Sequence, residues 1–204
     1  FQIWIIEAGL AGQPGRLWAG ALPAGLFRSD DRGEHWELVS ALWNVPEREK
    51  WAGGGYDDAG IHTISPDPRG GGRVFVAISV GGVWDSADDG KSWSLRGDGL
   101  IATYMPPELT GVREAQDPHR VARCAAAPDT MWMQHHCGIF RSTDAGANWT
   151  NPFDAGANDL FAVASSGSFV VTVGQNGDIA YSDDGGATWS TMVTGLPRVA
   201  ILSL

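Results

Sequence analysis

The sequence predicts an all-β repeat architecture, and three observations predict it. An octapeptide of the pattern S-x-D-x-G-x-x-W occurs four times. Gly (28), Pro (11) and Trp (10) are abundant in the 204 residues, which suits many turns covered by large aromatics. Short strand-like runs recur on both sides of every octapeptide.

The copies are Ser29-Asp30-Asp31-Arg32-Gly33-Glu34-His35-Trp36, Ser86-Ala87-Asp88-Asp89-Gly90-Lys91-Ser92-Trp93, Ser142-Thr143-Asp144-Ala145-Gly146-Ala147-Asn148-Trp149 and Ser182-Asp183-Asp184-Gly185-Gly186-Ala187-Thr188-Trp189. Each fixed position answers a need of a turn between antiparallel strands. One residue must take positive φ, which Gly33, Gly90, Gly146 and Gly185 or Gly186 do without a Cβ penalty. The hydroxyls of Ser29, Ser86, Ser142 and Ser182 and the carboxylates of Asp31, Asp88, Asp144 and Asp184 can accept hydrogen bonds from the turn's own N–H groups. Trp36, Trp93, Trp149 and Trp189 open the next strand and cover the turn.

These octapeptides resemble the Asp-box, or bacterial neuraminidase repeat (BNR), of sialidase-like β-propellers. The longer pieces around Phe27-Arg28-Ser29 and Phe140-Arg141-Ser142 resemble bacterial exo-sialidase-like and BNR-repeat glycosyl hydrolase proteins. The resemblance implies a β-propeller of four-stranded antiparallel blades, each box lying at the turn between a blade's third and fourth strands. Four blades are recognisable, at about residues 1–40, 61–97, 120–152 and 159–193, in one propeller domain or part of one.

With the boxes as rulers, the first blade reads as strands 2–7, 16–21, 25–28 and 36–39. The second reads as 61–65, 73–79, 82–85 and 93–96, and the third as 121–126, 130–135, 138–141 and 149–151. The fourth reads as 160–164, 169–173, 178–181 and 189–192. Val199–Leu204 reads as a strand that closes a ring or opens a further blade. The box serines at 29, 86, 142 and 182 lie 57, 56 and 40 residues apart. The difference falls in the inter-blade connections, where 40–60 and 97–120 are long and 152–159 and 194–198 are short. Long connections between repeats are the usual place for function. In a four-stranded meander the 1–2 and 3–4 turns share one end. A ligand site is therefore expected at the other end, with the 2–3 turns and the long connections.

Composition narrows the partners. A net charge of −10 argues against nucleic acid and anionic membranes, although many of the acids belong to the boxes. No run approaches the ~18 apolar residues of a membrane span, and no charged-then-apolar leader opens the sequence, so a soluble chain of open compartment is expected. The sequence opens and ends inside strand-like segments, which suggests a processed or trimmed chain. Cys124 and Cys137 read as free thiols. Pairing around the turn at Pro128-Asp129 sets Cys124 opposite Gln134 or His135, leaving Cys137 out of reach of a disulfide.

The candidate end gathers Trp43, Glu47, Arg48, Glu49, Trp51, Tyr56, Asp57, Asp58 and His62 from the first long connection. Tyr104, Glu108, Arg113, Glu114, Asp117, His119, Arg120 and Arg123 come from the second, and Gln134, His135 and His136 from a 2–3 turn. Aromatics that stack on sugar faces, beside carboxylates that serve as acid or base, suit a glycan site. Asp57 and Asp58, after Gly53-Gly54-Gly55, are the candidate catalytic carboxylates; a solvated loop that caps a strand is the alternative. Ligand-binding candidates are Trp51, Tyr56, His62, Tyr104, Arg120, Arg123, Gln134, His135 and His136. Adjacent histidines in a strand face opposite ways and no metal-ligand spacing occurs, so neither metal nor cofactor is expected. Trp4, Trp18, Trp84 and Trp132 read as inter-blade core.

Sialidases hold a substrate carboxylate with three arginines, one in an F/Y-R-I-P motif. This sequence has no such motif, and Arg28 and Arg141 adjoin the boxes at the wrong end, so sialidase activity is not expected. Two readings remain: a glycan-binding or glycoside hydrolase-like propeller, and a non-catalytic protein-binding or assembly propeller. The partner is accordingly a glycan or a protein, and three ring arrangements stay open: a compact ring closed by 199–204, a part of a larger ring, or completion by another chain or segment.

Overall fold

The computed structural model describes residues 1–53, 56–154 and 160–192. They form four separate four-stranded antiparallel sheets, each a simple meander. Blade 1 contains β1 (Gln2–Ala8), β2 (Leu17–Leu22), β3 (Leu26–Ser29) and β4 (Glu37–Leu38). Blade 2 contains β5 (Ile61–Pro66), β6 (Val74–Ile78), β7 (Gly82–Ser86) and β8 (Ser94–Arg96). Blade 3 contains β9 (Pro118–Arg123), β10 (Met131–His135), β11 (Gly138–Ser142) and β12 (Thr150–Phe153). Blade 4 contains β13 (Leu160–Ser166), β14 (Phe169–Gly174), β15 (Ile179–Ser182) and β16 (Ser190–Met192). The expected strand at 199–204 and the connection at 194–198 lie outside the described residues, as does most of the connection at 152–159.

Every box closes by the same network. The Ser Oγ accepts the N–H of the box glycine at 2.8 Å (Ser29, Ser182) or 2.9 Å (Ser86, Ser142) and donates to Oδ1 of the box Asp. That Oδ1 also accepts the backbone N–H of the seventh residue, at 2.9 Å in all four. Oδ2 pairs with the seventh residue's side chain: His35 Nδ1, Ser92 Oγ, Asn148 Nδ2 or Thr188 Oγ1. The seventh position, unmarked in the sequence pattern, therefore always carries a polar group within reach of the carboxylate. Trp36, Trp93 and Trp149 close the turn by donating from Nε1 to the glycine carbonyl. Trp189 makes no such bond and packs instead against Trp132 and Phe153.

Two details of the boxes differ from expectation. The turn takes two successive positive-φ residues, not one: Arg32 and Gly33, Asp89 and Gly90, Ala145 and Gly146, Gly185 and Gly186. Box 4 meets this with a glycine at both positions, whereas the others hold a side chain in the left-handed region. The fourth strand also begins one residue after each Trp, because the indole stays on the turn.

The chain forms two compact units, residues 1–96 with 112–117, and residues 97–111 with those from 118 onward. In the first unit, blade 1 presents Trp18, Leu26 and Ala24, and blade 2 receives them with Ile61, Ile64, Val76 and Trp84. In the second, Trp132, Ile139, Leu160, Val163 and Val170 form the matching seam between blades 3 and 4. A glycine of the receiving box takes the aromatic: Trp18 lies over Gly90 and Trp132 over Gly186. Arg16 adds an ion pair across the first seam, its Nη1 lying 2.6 Å from Asp89 Oδ1, and also pairs with Asp30.

The Cys124 pairing differs from the sequence reading. The β9–β10 hairpin is tight, with Arg123 opposite Met131 and the Cys124 N–H donating to Thr130 C=O. Cys124 therefore faces Thr130 rather than Gln134 or His135; both cysteines are free, as expected. The second long connection also starts elsewhere than expected. Asp98 is bonded beside box 3, donating its N–H to Ala147 C=O and accepting from Trp149 N–H at 2.7 Å.

Hydrogen bonding holds the box carboxylates ionised. Ser92 holds Asp88 down to about 2, through its hydroxyl and then its N–H. Thr188 does the same for Asp184, also to about 2. His35, through its N–H and then its ring, lowers Asp31 further. Burial opposes the shift at Asp144, but the bonds from Asn148 prevail. Depressed carboxylates give stability that is fully present above the ordinary pKa of about 4 and lost as pH falls through the folded value. Melting temperature is thus expected to hold down to about pH 4 and drop steeply toward pH 2, with a shallower drop in Asp88→Asn, checked by melts across pH. Gly186→Ala should be the costliest box glycine change, by roughly 1–3 kcal/mol in denaturant unfolding. Its Cβ would sit 2.2 Å from Trp132 at φ +85°.

Candidate functional site

At the end of each blade away from the box, the inner strand carries a bulge one or two residues from its start. In β1, Ile3 faces Ala21 and Ile5 faces Gly20, so Trp4 is the extra residue. In β5 and β13 the extra residues are His62 and Phe161. In β9, His119 and Arg120 together oppose Gln134. Bulges bend a strand and re-aim side chains, and they concentrate beside functional sites.

In the first unit the bulges bring rings together. Trp4 meets His62 edge-on at 4.7 Å and Tyr56 at 5.4 Å between centroids. Trp4 lies over Gly60, where a Cβ would come within 2.5 Å of its ring, so the glycine provides the seat. Tyr56 is 60% exposed and leads into the exposed Asp57 and Asp58. Beneath this loop the Arg48 guanidinium sits 3.5 Å from the Trp43 ring centre and 5.2 Å from that of Trp51, and donates to Ala24 C=O. Burial pulls the Arg48 pKa down while the field of Asp58 opposes it. Trp51 packs on Trp84, which makes it a wall of this loop.

The second unit holds an imidazole cluster. His119 and His136 meet edge-on at 4.7 Å, and Tyr104 lies 5.5 Å from His136 and 6.4 Å from His135. His135 is fully buried against Phe140, its Nδ1 accepting the Cys137 N–H. Gln134 is fully buried, and neither its Oε1 nor its Nε2 has a hydrogen-bond partner among the described residues. Such an amide is costly unless a ligand or water satisfies it.

The predicted residues thus sort by place. Trp51, Tyr56, Asp57, Asp58 and His62 share one end of the first unit, and Tyr104, Gln134, His135 and His136 gather in the second. Arg120 stands exposed on the β9 bulge. Arg123 does not join them: it ends β9 and donates to Pro128 C=O at 2.7 Å, at the box end. Trp4, expected in the core, is half-buried among the site aromatics. Its isolation in an apolar strand hid it; the bulge that exposes it has no sequence mark beyond Gly60 opposite.

A BNR/Asp-box repeat model matches residues 180–191. That span covers the whole of box 4, residues 182–189, with two residues on each side, and the other three boxes close by the same serine and aspartate bonds. The chain thus carries a BNR/Asp-box repeat on a β-propeller fold. It is 37% identical over 78 residues to an oligoxyloglucan-reducing end-specific xyloglucanase of Emericella nidulans, a match covering 38% of this chain and 8% of that protein. The fold matches a GH74 xyloglucanase from Xanthomonas campestris with a TM-score of 0.66 at 20% identity, over 89% of this chain and 29% of that one. It also matches YCF48 bound to a D1 peptide with a TM-score of 0.59 at 17% identity, over 96% of this chain and 54% of that one. The propeller chain therefore spans less than a tenth of its curated relative's length.

If Gly60 seats Trp4, Gly60→Ala should push the indole off His62. A changed near-ultraviolet circular dichroism spectrum and a loss of roughly 1–3 kcal/mol in denaturant unfolding are expected.

Proposed function

We propose that this glycoside hydrolase-like propeller binds a neutral oligosaccharide of the xyloglucan type at the end of the first unit away from its boxes. The observation that carries the reading is the exposed Tyr56 ring set against Trp4, with Asp57 and Asp58 next in the chain. Sugar rings present C–H faces to aromatics and hydroxyls to carboxylates, and this group offers both. In this reading Trp4 and Tyr56 stack, His62 and Trp51 shape the wall, and Asp57 and Asp58 bind hydroxyls or serve as acid and base in hydrolysis. The curated similarity to a xyloglucanase supports the substrate class.

An anionic sugar is the poorer match. Arg16, Arg28 and Arg73 are paired with carboxylates near the boxes, and Arg123 lies at the box end. The second reading, capture of a peptide, rests on the likeness to peptide-bound YCF48.

Thermal melts against xyloglucan oligosaccharides, sialosides and unrelated glycans test the proposal. At about 100 times its dissociation constant a xyloglucan fragment should add ~2.7 kcal/mol, or roughly 5–10 °C. Trp4→Ala and Tyr56→Ala should remove the shift while the unliganded melt stays cooperative. Asp57→Asn and Asp58→Asn should keep binding but abolish any release of reducing sugar. A shift from sialosides alone, or from no glycan, would overturn the reading.

A further inference from the structure

The second unit sets two histidines from different parts of blade 3 edge to edge. His119 is one of the two bulge residues of β9, and His136 stands on the turn between β10 and β11, just past the last ladder pair, His135 with Gly138. Their ring centroids are 4.7 Å apart with the planes at 79°, and a ring nitrogen of each lies within 4.8 Å of the other. Both rings are half-buried.

Spacing along the sequence sets a metal aside, because His135 and His136 as neighbours in one strand would face opposite ways. His135 is indeed committed elsewhere, fully buried against Phe140 with its Nδ1 accepting the Cys137 N–H. The companion of His136 comes instead from the adjacent strand. A bulge brings it there, and a bulge leaves no periodic signal.

The arrangement suits a shared cation. Imidazole is the commonest metal-binding side chain, and two such nitrogens on one tetrahedral zinc stand roughly 3.3 Å apart, each about 2.0–2.1 Å from the ion. Side-chain rotation closes the remaining gap, since one ring sits on a bulge and the other on a turn. The net charge of −10 favours the approach of cations. Tyr104 walls one side, edge-on at 5.5 Å from His136. Opposite the bulge, the fully buried Gln134 amide has two polar atoms without a hydrogen-bond partner among the described residues. A metal-bound imidazole calls for an acceptor beside its second N–H.

We propose that His119 and His136 chelate a divalent ion of the zinc class. Imidazole donors select zinc, nickel or copper over magnesium and calcium, which take oxygen ligands. The ion ties the β9 bulge to the β10–β11 turn, and two protein donors leave coordination positions for water or for an oxygen of a bound molecule. The site lies in the second unit and stands independently of the sugar reading of the first.

The test is a zinc titration of the metal-free chain at neutral pH in competition with a chromophoric chelator, with magnesium as the control. His119→Gln and His136→Gln should each weaken the tightest zinc by about tenfold or more, the loss that even an outer-shell change brings. Far-ultraviolet circular dichroism reports that both variants are folded. His35→Gln, Cys124→Ser and Cys137→Ser alter the other groups able to hold zinc and should leave that affinity unchanged. Equal zinc affinity in the unsubstituted chain and both histidine variants would overturn the proposal. So would weakening confined to a cysteine variant or to His35→Gln, which would put the ion on a thiol or on box 1, where Asp31 and Glu34 flank His35. Magnesium bound as tightly as zinc would overturn it too. If a histidine variant fails to fold, carbethoxylation of the unsubstituted chain, mapped by peptide mass spectrometry, supplies the decision. Zinc should slow modification of His119 and His136 but not of His35 or His62, and the absence of that difference would overturn the proposal.

Discussion

The bond from the box serine to the box glycine is the constraint on which the blades depend. It closes a turn whose two central residues both sit at positive φ, a conformation that costs free energy for any side chain but glycine. Ser29 could not hold that turn alone. Asp31 locks the serine hydroxyl and, through its second oxygen, the residue before the tryptophan, so one carboxylate ties three points of the loop together. The turn is then rigid enough to offer its glycine as a flat seat for a neighbour's indole, which is how a local device becomes a means of stacking blades.

Within each unit that stacking is directional. One face of a blade gives an aromatic and a leucine or isoleucine; the other receives them with an aliphatic row and a bare glycine. Hydrophobic burial supplies the attraction, but the fit of a ring on a Cα fixes the angle and the register. The exchange of Arg16 and Arg28 with Asp89 sits at the margin of the seam, where charge contributes more to the choice of neighbour than to affinity.

Much of the fold was legible in the sequence because the repeat marks the turns, and the turns mark the strands. Every strand of blades 2 and 4 was located to within a residue or two at each end. What stayed hidden was local: the second positive-φ residue, the polar partner at the seventh box position, and the late start of the fourth strand after each indole. The site was less legible. Tyr56, Asp57, Asp58 and His62 were selected as candidates from loop length and composition, but Trp4, which packs against Tyr56 and His62, was assigned to the core because its neighbours Ile3, Ile5 and Ile6 imply a buried strand. Arg123 was placed at the wrong end because β9 begins earlier than its apolar residues suggest, at Pro118. A bulge changes which way a residue faces without changing the residues, so periodicity cannot report it.

The recurrence of that bulge at one level of all four blades separates two jobs that a strand usually combines. A bulged residue sits outside the ladder, so its side chain is not chosen by pairing or by the blade seam. Trp4, His62, His119 and Phe161 already differ at this one level while the blades around them keep a common plan. Each blade thus carries an interchangeable letter on a fixed page, and a chain built this way can vary that letter one blade at a time without rewriting its architecture.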